Sequence, residues 1–273
     1  MQINYAGGYY PPLLFRVMIM LNDKEINALR YYIGDVSGND PFFSDPKAYV
    51  VLNSLFFPGI VSEKARTAEG KFLNPAIIAD TERLADFFNS LSSVFRKSVI
   101  TSGTVTYRVE RFSDYLLCRD NSQTVSFTST SKSGFLSSYR DRLGIALMKF
   151  DISAGSRCID VGAVLPHYAK PEESEILLPP FMDLRIDEIA MSDDELLITD
   201  SAGAPPKVSC TVTAGDIAPY TGDVPALPSG GSSAGIRVYN ALNAGSNPDS
   251  DDITEYSLWK KALRQILHSL FTQ

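Results

Sequence analysis

Three separated segments gather side chains that could do chemistry together. The first is Tyr107-Arg108, and the second is Phe127-Thr128-Ser129-Thr130-Ser131. The third is Glu173-Ser174-Glu175, followed by Ile176-Leu177-Leu178-Pro179-Pro180. A guanidinium is a planar, permanently charged fork that grips phosphate oxygens better than an ammonium does. Hydroxyls donate and accept at once, so a Ser/Thr cluster suits the orientation of a neighbouring polar group. Glu173 and Glu175 stand two residues apart and project from one face if the segment is extended. Two such carboxylates can divide labour, one stabilising a positive charge and one positioning or deprotonating an acceptor. Each segment alone has an ordinary explanation: an exposed strand Arg, a hydroxyl-rich edge strand, a solvated strand-end Glu.

Other chemistries find little support. The formal net charge is −7, with no block of five like charges. Such a chain is poorly suited to duplex nucleic acid, which needs clustered Lys and Arg. A single well-placed Arg can still hold a pyrophosphate. Cys118, Cys158 and Cys210 lie far apart without a CxxC spacing, which argues against a zinc site or a disulfide framework. His167 and His268 are the only histidines, so a His-rich metal site is excluded. His167 has no Ser or Cys partner in a recognisable elbow, and no GxGxxG or GxxxxGK[ST] occurs. No run of about 18 apolar residues exists, so no membrane span is expected. Leu13 to Leu21 is apolar but interrupted by Arg16, a poor secretory segment.

Taken in order, the three segments resemble the Arg/Ser-Thr-Ser/Glu-x-Glu group of ADP-ribosyltransferases, the clade of C2- and C3-like toxins, Vip2-like toxins and many bacterial effectors. The order and spacing of Arg108, Ser129-Thr130-Ser131 and Glu173-Ser174-Glu175 agree with that group, as does the LLPP stretch after them. Asn53 within Ala48 to Phe57, and the turn around Phe150 to Ser156, match its context. The likeness spans residues 45 to 215. One departure stands out: the family has Gly after the Arg, where this chain has Val109.

The resemblance implies that NAD⁺ is bound as a substrate and that no metal takes part. Cleaving its nicotinamide–ribose bond passes through an oxocarbenium-like state, which a carboxylate near the ribose stabilises. Glu175 takes that role and holds the ribose 2′-hydroxyl, and Ser129 orients it. Arg108 clamps the phosphates. Tyr107, Thr130 and Ser131 are further candidates for cofactor binding, and Phe135 is a candidate to stack on nicotinamide. Thr130 points to the opposite strand face. Tyr168 falls in the loop that recognises the target protein. A Glu at position 173 goes with arginine acceptors, so the implied activity is mono-ADP-ribosylation of a protein arginine. The alternatives are an NAD⁺ glycohydrolase using the same site, or a catalytically silent binding protein of the same fold. By the same analogy the chain is a soluble effector or toxin delivered by a dedicated secretion system, with a host protein as its partner.

The elements that must position these residues are readable in part. Asn22 and Glu25 form a capping box before Ile26, Leu29 and Tyr31. Gly, Asn, Asp and Pro make a loop of Ser37 to Pro46, and Ala48 to Phe57 is a helix closed by Pro58-Gly59. Leu84, Phe87, Phe88, Leu91, Val94 and Phe95 mark an amphipathic helix capped by Asp80 or Thr81. Strands are expected at Ser102 to Val109, Thr124 to Thr130, Ile145 to Ile152, Arg157 to Val161, Glu175 to Leu178, Leu184 to Ile189 and Lys207 to Thr213. In the first, Val105, Tyr107 and Val109 share one face and Arg108 points to the other; in the second, Val125 and Phe127 share a face. A run of strands after a run of helices indicates α+β. The resemblance specifies the ADP-ribosyltransferase fold: two packed, mostly antiparallel sheets forming an NAD⁺ cleft beside an N-terminal helical part. A single domain over residues 1–273 is expected, with a helical part (1–97), a β-rich core (98–215), a loop-rich segment (216–252) and a C-terminal helix (253–271). That last helix is capped at Asp251, Asp252 or Thr254. It docks through Leu258, Trp259, Ala262, Leu263, Ile266, Leu267 and Leu270, with Lys260, Lys261 and Arg264 around the stripe.

Overall fold

Asn22 and Glu25 start the helical part reciprocally. The Asn22 side chain accepts from the Glu25 backbone N–H at 3.0 Å, and the Glu25 carboxylate accepts from the Asn22 N–H at 2.8 Å. These bonds satisfy donors that the first turn of α1 (Asp23–Ile33) leaves unpaired. The computed structural model describes residues 20–34, 48–111, 123–132, 145–165, 174–191 and 208–273. Most of the Leu13 to Leu21 stretch and the expected Ser37 to Pro46 loop lie outside them. Further helices follow at α2 (Ala48–Ser54), α3 (Val61–Ala68), α4 (Ala76–Ala79) and α5 (Thr81–Lys97). The Asp80 carboxylate caps α5 by accepting from the Arg83 N–H, and the apolar stripe Leu84 to Phe95 is buried throughout.

Among the described residues seven strands form one ladder: β1 (Thr104–Arg111), β2 (Thr128–Ser131), β3 (Ile145–Ile152), β4 (Ile159–Asp160), β5 (Glu175–Leu178), β6 (Met182–Met191) and β7 (Val208–Ile217). Their spatial order is β4-β5-β2-β1-β3-β7-β6. Every pairing is antiparallel except β3 with β7. The class is therefore α+β.

The ladder cannot be flat. β5 and β6 are five strand steps apart, roughly 24 Å in a planar sheet. Yet only Pro179, Pro180 and Phe181 separate Leu178 from Met182, a reach of at most about 15 Å. The two halves must curl toward each other, and a buried cluster shows that they do. Ile176 and Leu178 from β5 pack in one group with Met148, Phe150 and Ile152 from β3, Met182 from β6, and Val212 and Ala214 from β7. The two packed β-layers are thus halves of one continuous ladder, joined between β1 and β2 at the single register pair Tyr107 opposite Ser131. The larger core lies on the other side of β5, where Leu177 and Phe127 pack with the helices.

Several elements depart from the sequence expectation. Residues 124–127 are not strand. The Thr124 hydroxyl instead donates to the Pro179 carbonyl at 2.7 Å and accepts from the Met182 N–H, pinning the β5–β6 turn. The strand expected from Arg157 to Val161 shrinks to β4 and passes into the short helix α6 (Val161–Val164). On β1, Val105 is 39% exposed whereas its neighbour Thr106 is fully buried.

Within the segment read as loop-rich, residues 231–243 form a helix, α7 (Gly231–Asn243). Its small residues hide it from a hydropathy pattern because they serve close packing against α8 (Ser250–Thr272). A Cβ on Gly231 would stand 2.3 Å from Trp259 Cβ, and one on Gly235 would meet the Tyr256 ring at 2.6 Å. The cap of α8 is Asp249, ahead of the expected Asp251, Asp252 or Thr254. Leu258 is exposed, and Lys260 is buried inside the core rather than beside it.

Candidate functional site

β5, β2 and β1 are neighbours, so the three motif segments lie side by side. Ser131 is common to both registers, opposite Tyr107 on β1 and opposite Glu175 on β5. Ser129 stands opposite Leu177, two positions along, and therefore shares a face with Glu175. Its Oγ donates to Glu175 Oε1 at 2.6 Å, the short distance of a charge-assisted bond. The Ser129 carbonyl accepts from Arg108 Nη1, also at 2.6 Å. One serine thus ties the cation to the carboxylate through two hydrogen bonds. Glu175 is only 8% exposed, while Arg108, Ser129, Ser131 and Tyr107 are half-buried.

The surrounding backbone holds this arrangement. Thr130 alternates to the other face, where it is buried and its hydroxyl donates to the Ile176 carbonyl at 2.9 Å. Thr130 thus pins β2 to β5 from the strand face opposite Ser129, the face expected for it. The Lys132 N–H donates to the Ser174 carbonyl at 3.1 Å, and Lys132 Nζ pairs with Asp160 at 2.6 Å. Ser174 has φ 44°, in the left-handed region. Glu173, Phe135 and Tyr168 lie outside the described residues.

The helical layer packs on Phe127, just ahead of β2. Tyr32 of α1 is buried and donates to Asn53 Oδ1 of α2 at 3.2 Å. Its ring meets Phe127 edge-on at 4.9 Å. Phe127 is the hub of an aromatic cluster with Phe56, Phe88, Phe95 and Phe271, which fixes the chain just before Thr128. Burial drives the Tyr32 phenol well above its ordinary value; the Asn53 bond and Arg108 pull it down, and Glu175 pushes it up further. Tyr32 is therefore a neutral donor within electrostatic reach of both charged site residues. Nothing local in the sequence marks Tyr32, since its role depends on the meeting of α1, α2 and β2. Asn53 was legible only through the family resemblance.

Chemically, the site offers a guanidinium for a phosphate, a buried and oriented carboxylate for a developing cation, and neutral polar groups beside them. Among the described residues no group of three or more His, Cys, Asp or Glu side chains could hold a metal ion. Among the same residues no helix is long and apolar enough to cross a membrane.

No family model and no curated protein matches the chain. Among solved structures it is similar to an ADP-ribosyltransferase of the C3 type from Clostridium botulinum, with 12% identity, 73% of this chain and 90% of that chain covered, and a TM-score of 0.45. It is similar to the ADP-ribosylating toxin of a C. perfringens binary enterotoxin, with 16% identity, coverage of 71% and 44%, and a TM-score of 0.45. The Clostridium limosum C3 exoenzyme gives 13% identity, coverage of 72% and 88%, and a TM-score of 0.44. Fold alone does not fix function; the chemistry lies in the side chains that β1, β2 and β5 bring together.

Proposed function

We propose that this chain is a mono-ADP-ribosyltransferase that uses NAD⁺ as substrate and transfers ADP-ribose to an arginine of a target protein. The observation that carries the reading is the linkage Arg108–Ser129–Glu175, two hydrogen bonds of 2.6 Å joining a phosphate-binding cation to a buried carboxylate.

Arg108 holds the NAD⁺ phosphates, and its bond to the Ser129 carbonyl fixes its reach. Ser129 keeps the Glu175 carboxylate aimed at the ribose. When the glycosidic C–N bond breaks, nicotinamide leaves with the bonding pair as a neutral base. The sugar is left as an oxocarbenium cation, whose charge the buried Glu175 carboxylate offsets. The acceptor nitrogen then bonds to the anomeric carbon and gives up a proton, for which the Glu173 carboxylate is the base. Tyr107 and Ser131 line the NAD⁺ side of β1 and β2, Phe135 stacks on nicotinamide, and Tyr168 meets the target. A host protein modified by a secreted effector is the setting that fits this chemistry.

The test is incubation of the protein with labelled NAD⁺ and a host-cell lysate. Label on a protein band, mapped to arginine by mass spectrometry, supports transfer. Free ADP-ribose without a labelled band supports hydrolysis instead. Glu175→Ala abolishes both nicotinamide release and labelling if Glu175 acts as described; unchanged release removes it from the mechanism. Glu173→Gln reduces arginine labelling while some NAD⁺ hydrolysis continues, and intact transfer to arginine would refute the acceptor assignment.

A further inference from the structure

Helix α3 is packed inside out. The one residue it buries is Glu63, held by Lys260 and Tyr256 of α8, whereas Val61, Ala65 and Ala68 share the outer face at helical spacing and are exposed. The turn that closes the helix carries a further exposed apolar residue. Gly70, at φ 72°, ends α3, with the Lys71 N–H donating to the Arg66 carbonyl at 3.0 Å. Two residues on, Asn243 holds the Leu73 backbone on both sides: its Oδ1 accepts from the Leu73 N–H at 2.9 Å and its Nδ2 donates to the Leu73 carbonyl at 2.7 Å. Phe72 is fixed between these two anchor points and is 71% exposed, and Val61 is 74% exposed. The unpaired charges beside them have one sign. Lys64 and Arg66 enter no ion pair among the described residues. Both carboxylates of the stretch have a cation, Glu63 from Lys260 inside the core and Glu69 from Lys71 at 2.8 Å. In a chain of net charge −7 this stretch stands out as cationic.

We propose that α3 and its closing turn seat the protein on an anionic lipid surface. Val61 and Phe72 protrude, so a protein partner would have to supply a groove for each. The headgroup region of a bilayer yields around a protruding side chain and lets it reach the acyl boundary. Ala65 and Ala68 add little bulk, so the helix can lie close to that surface. Lys64 and Arg66 then reach the anionic headgroups, their stems lying along the interface. Few groups take part, so the binding is reversible and needs the apolar and the cationic contributions together. None of Arg108, Ser129 or Glu175 is involved: the contact acts on where the protein works and not on its chemistry.

The test is flotation of the full chain with vesicles of equal parts phosphatidylcholine and phosphatidylserine, and with vesicles of phosphatidylcholine alone, at low and high salt. The expected result is binding to the anionic vesicles that weakens as salt rises, with little binding to the neutral ones. Phe72→Ser, and separately Lys64→Ala combined with Arg66→Ala, should each lower the partition coefficient about tenfold, with Tm at the wild-type value. No binding to either vesicle, equal binding to both, or a wild-type partition coefficient in Phe72→Ser overturns the proposal. So does a dimer seen by light scattering that Phe72→Ser abolishes, because the face is then an interface between copies. Protein labelling in lysate that falls in Phe72→Ser, with no vesicle binding by the wild type, assigns the face to a protein partner and equally overturns it.

Discussion

Ser129 meets Glu175 diagonally across the β2–β5 pair: it stands opposite Leu177, yet its Oγ reaches Glu175 Oε1 at 2.6 Å. The strand pairing brings the two residues to one face, and the hydroxyl then selects a single carboxylate orientation. Ser129→Ala keeps the strand and loses only that selection. A hydrogen bond to a charged group contributes about 1.5–3 kcal/mol, so kcat/KM for nicotinamide release should fall about 10- to 100-fold. Steady-state assays with Tm as a control check this. Wild-type kcat/KM in Ser129→Ala would show that the carboxylate needs no such guide.

Arg108 makes a bond that a lysine reproduces badly. Its Nη1 donates to the Ser129 carbonyl, and a planar fork with several donors can hold that carbonyl and a phosphate at once. Lysine is a point charge with no fork, so it must choose between those partners. Arg108→Lys should raise the KM for NAD⁺ roughly tenfold or more, with a smaller change in kcat, because phosphate binding is shared by ground and transition states. Titration of NAD⁺ binding by calorimetry gives the same quantity directly, and an unchanged affinity would place the phosphates elsewhere.

What the sequence made legible was local or ordered along the chain. The Asn22–Glu25 capping box closes within one turn, and it forms as read. Ile145–Ile152 and Glu175–Leu178 are strands with the expected limits. The order of Arg108, Ser129 and Glu175 pointed to one site, and strand pairing brings the three together. What stayed hidden depends on distant partners. Lys260 looked like a flank of the α8 stripe because its partner, Glu63, is 197 residues away in sequence. α7 looked like loop because Gly231 and Gly235 give its composition a linker-like texture, although they are there to admit Trp259 and Tyr256. Tyr32 carries no motif at all, and only the convergence of two helices on Phe127 gives it a role.

The Glu25 cap predicts a pH dependence with a definite sign. Burial pushes its carboxyl up, but hydrogen bonds from Lys97, Ser93 and the Asn22 N–H outweigh that and hold it below the ordinary 4.5. A carboxyl lowered in the folded state stabilises the protein fully above its unfolded value, and that stability is lost as pH falls through the folded one. Glu25→Gln should therefore be less stable than wild type at pH 7 by on the order of 1 kcal/mol, the scale of the lost hydrogen bonds. The difference should narrow as pH drops below 4.5. Urea unfolding across pH 7 to about 3 measures it, and a gap independent of pH would deny the carboxylate this role.

The helical layer contains a second pair whose worth depends on both members being present. Lys260 Nζ lies 2.6 Å from Glu63 Oε1 with side-chain exposures of 1% and 0%, and it also donates to the Gly59 carbonyl at 2.8 Å. Burial drives each toward its neutral form, the Glu63 carboxyl upward and the Lys260 amine downward, against their mutual attraction. Tyr256 donates to the same Glu63 oxygen at 3.3 Å. Removing one partner leaves the other buried without its counter-charge, so Lys260→Met alone should cost about 3–5 kcal/mol. Replacing both, Glu63→Leu with Lys260→Met, removes the desolvation penalty along with the attraction and should recover most of that loss. Denaturant unfolding of the two single variants and the double variant yields the coupling. If the double variant is as unstable as the sum of the singles, packing around α3 and α8 rather than the charges holds this region together.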